Sequence, residues 1–191
     1  NVLAHVARVP AKEQRRGSLW LLQGGPGGSG WDLAPLADAF AKAVPDLDIY
    51  LPDHRGTGFS TPLSCPQFEN QGAFGGGTSP AAWTGCLASV QDEWGGGVVH
   101  FNSTAAAEDL HVLIEAAREP GDTVFVYGVS YGTFWANRLL QVDASLSDAD
   151  VAAGAEALGV DAVVMDSMCP PGLCRADTYD EVFDEVTEQL L

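Results

Sequence analysis

Residues 123–140 read TVFVYGVSYGTFWANRLL and combine a strand, a sharp turn and a helix. Thr123 to Gly128 is a short β-branched and aromatic run, and a helix-length segment opens at Tyr131. Between them, GVSYG (128–132) matches G-x-S-x-G, in which a serine occupies a strand-to-helix turn. Small residues two positions away relieve crowding there, and the amide after the serine can bind an oxyanion. The pattern predicts Ser130 as a nucleophile.

Similar short runs alternate with helix-length segments along the chain. The predicted strands are Val2–Val9, Ser18–Gln23, Asp48–Asp53, Thr123–Gly128 and Asp161–Asp166. The predicted helices are Leu33–Val44, Ala81–Trp94, Thr104–Arg118, Tyr131–Val142 and Asp148–Leu158. Each later strand follows a crossover long enough for parallel pairing. The chain is therefore predicted to be an α/β protein with a mostly parallel sheet flanked by helices.

A glycine-rich segment, GGPGGSG (24–30), follows the second predicted strand. Glycines let backbone amides approach an oxyanion or a phosphate, because no Cβ stands in the way. Read as G-x-G-x-x-G from Gly25, the segment also fits a dinucleotide fingerprint, with Asp53 as the ribose acceptor. A Walker A motif is excluded because no lysine follows the glycines.

A third motif, DHRGTGFS (53–60), follows the third predicted strand. Asp53 and Arg55 are expected to pair and to fix a turn that supports a neighbouring site. Gly56 and Gly58 are expected at positions that tolerate no side chain. In this interpretation His54 is scaffold and takes no part in chemistry. The segment Gly72 to Ser79 is expected to be a loop.

Composition excludes several classes of protein. The 191 residues include 9 Lys and Arg against 26 Asp and Glu, which gives a formal charge of −17. Such a surface repels phosphate backbones and anionic lipids, so neither nucleic acid nor a membrane is an expected partner. No apolar run reaches the roughly 18 residues of a membrane-spanning helix. A hydrophobic content of 46% is enough to form a core.

Four cysteines, at positions 65, 86, 169 and 174, lack zinc-site spacing and nearby histidines, so no metal is predicted. Two disulfides, Cys65–Cys86 and Cys169–Cys174, would each close a short loop and favour an oxidising compartment. Four reduced core thiols are the alternative. Asn102-Ser103-Thr104 fits a glycosylation acceptor but is better explained as a helix N-cap.

LQGGPGGSG, DHRGTGFS and VYGVSYGTFWANRLL, in this order at successive strand ends, resemble the α/β-hydrolase family of prolyl iminopeptidases and tripeptidyl aminopeptidases, especially its secreted branch. The resemblance covers nearly the whole chain. It implies an eight-stranded sheet with a helical cap and serine-peptidase chemistry without a cofactor. Ser130 matches the nucleophile, and the amides of Gly25 and Tyr131 match the oxyanion hole. Gln23 replaces a common histidine, which moves the match toward the tripeptidyl branch, and the cysteine positions resemble the disulfides of secreted members.

The catalytic base is missing from the sequence. In this fold it is a histidine that follows the serine and the acid, whereas all four histidines precede Ser130. Asp166 is interpreted as a turn residue or, alternatively, as the acid; the resemblance places the acid beyond Leu191. The chain is therefore expected to be the N-terminal part of a hydrolase, with residues 1–175 in the core and residues 176–191 beginning a cap.

The predicted activity is hydrolysis of peptide bonds near a free N-terminus, by a secreted or periplasmic enzyme whose partner is a peptide substrate. One alternative is an esterase or lactonase on the same fold. Another is a non-catalytic binding protein that keeps the turn without the other catalytic groups. A dinucleotide-binding oxidoreductase would leave the turn at Ser130 unexplained. The sequence predicts no oligomeric state.

Overall fold

The computed structural model describes residues 1–72, 75–146 and 158–168. The strands are β1 Val6–Val9, β2 Gly17–Leu22, β3 Leu47–Pro52, β4 Glu69–Gly72, β5 Gly75–Thr78, β6 Thr123–Val129 and β7 Ala162–Asp166. The α-helices are α1 Ala34–Ala43, α2 Trp83–Trp94, α3 Ser103–Ala117 and α4 Tyr131–Ala144, and short 3-10 helices span Gly30–Leu33, Pro80–Ala82 and Gly95–His100. The predicted elements within these residues are confirmed, except that the first strand begins at Val6 and not at Val2.

Five strands form one sheet in the order β1-β3-β2-β6-β7. β2 lies parallel to both β3 and β6, and β6 lies parallel to β7, whereas β1 runs antiparallel to β3. The prediction of a mostly parallel sheet is confirmed. Because parallel strands end at the same edge, the three motifs of the sequence lie together at the carboxyl ends of β2, β3 and β6.

The sheet is covered on both faces, as parallel sheets usually are. Trp20 and Leu22 of β2 pack toward α3 and α4, with Leu110 and Leu139 in the same buried cluster. The alternate residues of β2 pack toward α1 in a second buried cluster, whose members are Leu19, Leu21, Leu33, Ala37, Ala41, Leu47, Ile49 and Leu51. All six residues of β2 are buried, and this strand is the middle one of the five-stranded sheet.

The amino-terminal ends of the parallel strands carry a closed ionic network. Asp48 accepts from Arg15 Nε at 2.7 Å and pairs with Arg8 at 2.8 Å, and Arg15 also pairs with Asp122 at 2.7 Å. Burial would raise the pKa of Asp48, but the amide of Ala11 and the two guanidinium groups lower it further than burial raises it. Burial likewise opposes the charge of Arg15, but its bonds to Asp122 and Asp48 raise its pKa above the ordinary value. These charges satisfy one another.

A hairpin and a disulfide lie apart from the main sheet. Cys65 and Cys86 form the predicted disulfide, with Cα atoms 5.3 Å apart. The expectation of a loop over Gly72 to Ser79 is wrong, because β4 and β5 pair antiparallel, with Gly72 opposite Gly75. The backbone makes this ladder, so glycine-rich composition did not prevent it.

Several predictions lie outside the described residues. They are the helix at Asp148–Leu158 apart from its last residue, the disulfide Cys169–Cys174, and the cap expected at residues 176–191. Among the described helices, none is both long and apolar enough to cross a membrane.

Candidate active site

Ser130 occupies the sharp turn between β6 and α4. Its backbone has φ 54° and ψ −122°, a conformation that costs energy for a residue with a side chain. Backbone bonds hold it there: the N–H of Ser130 donates to Asp166 O at 2.9 Å, and the amide of Thr133 donates to Ser130 O at 2.9 Å. The Thr133 hydroxyl donates to the same oxygen at 2.6 Å. The turn is thus rigidly supported, while Ser130 itself is exposed.

The glycines on either side of Ser130 allow close backbone approaches. A Cβ on Gly128 would lie 2.5 Å from Gly132 O, and a Cβ on Gly132 would lie 2.1 Å from Leu22 O. α4 therefore packs directly on the end of β2. A Cβ on Gly24 would lie 2.8 Å from Ser130 Cβ and 3.0 Å from the amide nitrogen of Tyr131. The glycine-rich segment thus reaches the turn itself.

Gly25 and Tyr131 supply amides in this neighbourhood. Gly25 is exposed and has φ 116°, which favours glycine, and its peptide bond to Pro26 is cis. The amide of Tyr131 opens α4 and so has no acceptor within the helix. Gln23 does not extend toward a ligand, because its Oε1 accepts from the Gly24 amide at 2.8 Å. The structure therefore packs Gly24, the neighbour of Gly25, against Ser130 and the amide nitrogen of Tyr131, while the roles of nucleophile and oxyanion hole stay predictions.

Asp53 fastens the glycine-rich segment to the third motif. Its buried carboxylate accepts from Ser29 Oγ at 2.9 Å, from the Gly30 amide at 2.7 Å and from the Phe59 amide at 2.8 Å. His5 Nδ1 lies 3.1 Å away. Asp53 is 3% exposed, so its carboxylate is not available to a ribose, and the dinucleotide interpretation loses its acceptor.

The predicted pairing of Asp53 with Arg55 is wrong. Arg55 instead pairs with Asp109 of α3, at 2.6 Å and 2.8 Å, and donates to His100 O at 2.8 Å. The carboxylate of Asp53 already accepts hydrogen bonds from Ser29, Gly30 and Phe59. The intolerance of Gly58 to a side chain is confirmed, since its Cβ would lie 2.3 Å from the carboxylate carbon of Asp53.

His54 supports the start of α4. Its Nδ1 lies 2.7 Å from Arg55 O, and a carbonyl can only accept, so Nδ1 carries the proton. Its Nε2 then accepts from the Tyr131 hydroxyl at 3.3 Å. The ring packs edge-on against Trp135 with centroids 5.0 Å apart. Burial lowers the pKa of His54 and favours the neutral form, so both nitrogens are committed to these partners.

Ser103 contacts the site although it belongs to none of the three strand-end motifs. Its Oγ lies 2.8 Å from the Tyr131 hydroxyl. The predicted cap beside it is confirmed: Asn102 Oδ1 accepts from the Ala105 amide at 2.9 Å and α3 begins at Ser103. The cap placed Ser103 at a helix start, but nothing in the sequence connected it with Tyr131, 28 residues later.

Asp166 lies beside the turn at the end of β7. Its exposed carboxylate accepts from Tyr127 at 2.6 Å and from Ser167 at 3.1 Å, and these bonds lower its pKa. His5 and His111 contact Asp53 and Asp143 instead. Within residues 1–72, 75–146 and 158–168, no hydrogen bond or ion pair joins a histidine side chain to Asp166 or Ser130, and no group of His, Cys, Asp and Glu could hold a metal ion.

Comparisons with known proteins agree with the fold. The sequence pattern of the alpha/beta hydrolase fold family matches residues 17–160. No curated protein matches the sequence. A thermostable carboxyl esterase from Bacillus coagulans has a similar structure, with a TM-score of 0.50, 14% identity, and coverage of 97% of this chain and 46% of the esterase. At this identity the likeness shows a shared fold.

Two other solved structures are similar at lower TM-scores. An N-formylmaleamic acid deformylase from Pseudomonas putida S16 has a TM-score of 0.44 and 20% identity, over 75% of this chain and 39% of the deformylase. Esterase PE8 has a TM-score of 0.40 and 15% identity, over 97% of this chain and 99% of the esterase. The chain thus spans less than half the length of the deformylase and of the carboxyl esterase.

Proposed function

Because the chain belongs to the alpha/beta hydrolase fold family, we propose that it is part of a serine hydrolase in which Ser130 is the acylated nucleophile. The observation that carries the proposal is the strained, exposed Ser130 at a strand-to-helix turn, with the glycine-rich segment packed against it. Strain at a site held by the surrounding structure is a feature of catalytic positions. Such a turn exposes the serine Oγ at the carboxyl edge of the sheet.

The chemistry follows from these positions. Ser130 Oγ attacks an acyl carbonyl carbon, and the amides of Gly25 and Tyr131 stabilise the negative charge that develops on the carbonyl oxygen. A histidine takes the serine proton and then delivers it to the leaving group. In this fold that histidine follows the nucleophile, and no histidine follows Ser130 in the sequence. We therefore place the base and the acid in residues after Leu191, with residues 1–175 in the core and residues 176–191 at the start of a cap.

The substrate class we propose is a peptide with a free N-terminus. The support is the resemblance of the three strand-end motifs to tripeptidyl and prolyl aminopeptidases. A formal charge of −17 also attracts cationic N-termini. An exported location, secreted or periplasmic, is supported by the Cys65–Cys86 disulfide, because disulfides persist in oxidising compartments.

An esterase or lactonase is the competing activity, because neither the fold nor the turn selects the acyl group. The test compares three substrates in the complete protein: a tripeptidyl amide with a free N-terminus, the same amide acetylated at its N-terminus, and a simple ester of similar size. We expect hydrolysis of the free amide and little hydrolysis of the acetylated one. Turnover of the ester alone would make the protein an esterase.

The 191-residue chain serves as the second arm of this test. With a nucleophile and an oxyanion hole but no base, it should keep only slight activity over water. Full turnover by the 191-residue chain would contradict the proposal that the base lies after Leu191. Absence of turnover in the complete protein on all three substrates would favour a non-catalytic binding protein.

A further inference from the structure

Tyr131 contributes both a backbone amide beside Ser130 and a side chain that is anchored elsewhere. The amide nitrogen faces Gly24, whose Cβ would lie 3.0 Å away. The half-buried ring stacks on Phe134 with centroids 5.8 Å apart. Its hydroxyl lies 2.8 Å from Ser103 Oγ and 3.3 Å from His54 Nε2. One residue therefore joins the turn to α3 and to the third motif.

We propose that the Tyr131 hydroxyl, held between His54 and Ser103, is a positioning group that fixes the oxyanion-binding amide of the same residue. The inference rests on the function proposed above. It assigns to His54 and Ser103 a role in the reaction that is exerted through Tyr131, without contact with substrate.

The direction of each hydrogen bond follows from its partners. Because Nδ1 of His54 donates to Arg55 O, the neutral ring leaves Nε2 to accept the Tyr131 proton. The Tyr131 oxygen is then free to accept from the Ser103 hydroxyl. The chain runs from Ser103 to Tyr131 to His54 with each group donating once. It holds the ring at both sides, which limits rotation about the first residue of α4.

This anchoring matters because an oxyanion hole acts only at correct geometry. A donor is effective at about 2.7–3.1 Å from the oxyanion, and losing one donor lowers kcat by roughly 100- to 1,000-fold. A displacement of about 1 Å can by itself cost about 100-fold. Removing the Tyr131 hydroxyl keeps the amide but releases its anchor. The expected loss in kcat is therefore smaller than for a missing donor, about 10- to 100-fold.

The test is Tyr131→Phe in the complete protein, assayed for kcat, for KM and for inhibition by a peptidyl trifluoromethyl ketone, which forms a tetrahedral adduct. We expect kcat and affinity for the ketone to fall by the same factor, with KM unchanged. Tyr50→Phe is the control, since it removes a hydroxyl from a buried tyrosine that stacks on Trp20, away from the turn. It should leave kcat unchanged.

Ser103→Ala and the double variant make the test independent of any single substitution. Ser103→Ala should also lower kcat, Ser103→Thr should restore it, and the double variant should be no worse than Tyr131→Phe, because both changes release the same anchor. An unchanged kcat in Tyr131→Phe and Ser103→Ala, or a change confined to KM, would overturn the inference. Ser130→Ala separates the two proposals: if it retains hydrolysis, the proposed function fails, whereas its inactivity beside a fully active Tyr131→Phe rejects only the positioning role.

Discussion

The two ends of the parallel strands differ in how their polar groups are satisfied. At the amino-terminal ends, Arg15, Asp48 and Asp122 bind one another, and Asp48 is 1% exposed. At the carboxyl ends, Ser130 is exposed, and the amide of Tyr131 has no acceptor within its helix. The buried carboxylate of Asp48 at the first end is thus occupied by protein partners, whereas the second end leaves the side chain of Ser130 exposed.

From this difference we expect one end of the sheet to serve stability and the other to serve the proposed chemistry. The closed network joins Arg15 before β2, Asp48 in β3 and Asp122 before β6, so a change there should act on folding. The carboxyl ends carry strain at Ser130 and a helix-opening amide at Tyr131, so we expect a change of the Ser130 or Tyr131 side chain to act on catalysis. Ligands in open α/β sheets bind at these carboxyl ends.

The largest effect is expected for Gly132→Ala. This position lies beside Ser130 and is also where α4 packs on the end of β2. The new Cβ would lie 2.1 Å from Leu22 O, and the clash cannot be relieved without displacing the backbone of α4 from that of β2, because a Cβ is fixed to its own backbone. We expect a loss of about 3 kcal/mol or more in the free energy of unfolding, measured by urea denaturation. Gly96→Ala is the control, since nothing lies within 4 Å of its Cβ. Equal stability of the two variants would contradict the close packing.

Arg15→Met tests the amino-terminal end. It leaves Asp48 and Asp122 without their shared partner, and breaking a largely buried pair costs about 3 kcal/mol. We expect the free energy of unfolding to fall by that amount, with kcat unchanged at temperatures where the variant is folded. Lys42→Met, on an exposed position of α1, should change neither quantity. A lower kcat in folded Arg15→Met would contradict the expectation that the amino-terminal network affects stability alone.

Much of this arrangement could be predicted from the sequence. Hydrophobic runs of strand length gave β2, β3, β6 and β7, and G-x-S-x-G placed Ser130 at the turn, because local pattern and local structure coincide there. The sequence does not show which charged side chains pair with one another. Arg55 binds Asp109, 54 residues away, and not its neighbour Asp53, because tertiary packing decides which carboxylate is free.

The same limit explains the missed residues. Ser103 meets Tyr131 only because α3 and α4 pack together, and no periodicity encodes that contact. The hairpin of β4 and β5 was also missed, since glycine has low strand propensity and the ladder depends on backbone bonds alone. The sequence therefore predicts the position of Ser130 more readily than the contacts that support the turn around it.

The smallest effect concerns acid pH, where the two ends should weaken in different ranges. Burial lowers the pKa of His54, so the unfolded chain binds its proton more tightly than the folded one. Stability from neutral His54 is thus lost as pH falls below the ordinary value of 6.5. The pKa of Asp48 is also lowered, but there the charged form is favoured, so its contribution persists until pH falls below 3.8.

His54→Gln isolates this difference. Between pH 7.5 and pH 5.5, wild-type protein should lose more free energy of unfolding than the variant, by no more than about 1.4 kcal/mol for each pH unit below the ordinary pKa. Urea denaturation at the two pH values measures it, with other histidines common to both proteins. Identical pH dependence in wild type and His54→Gln would show that His54 does not titrate in this range.

The most direct test of Ser130 as the nucleophile is covalent labelling of the complete protein with a fluorophosphonate, followed by mass spectrometry of its peptides. Ser167 provides a matched control, because it is the other non-glycine residue with positive φ in the described chain, at 55° and also at a strand end. We predict one label, on Ser130, at equal rates in wild type and Ser167→Ala, and none in Ser130→Ala. Labelling of Ser130→Ala at the wild-type rate would contradict the account.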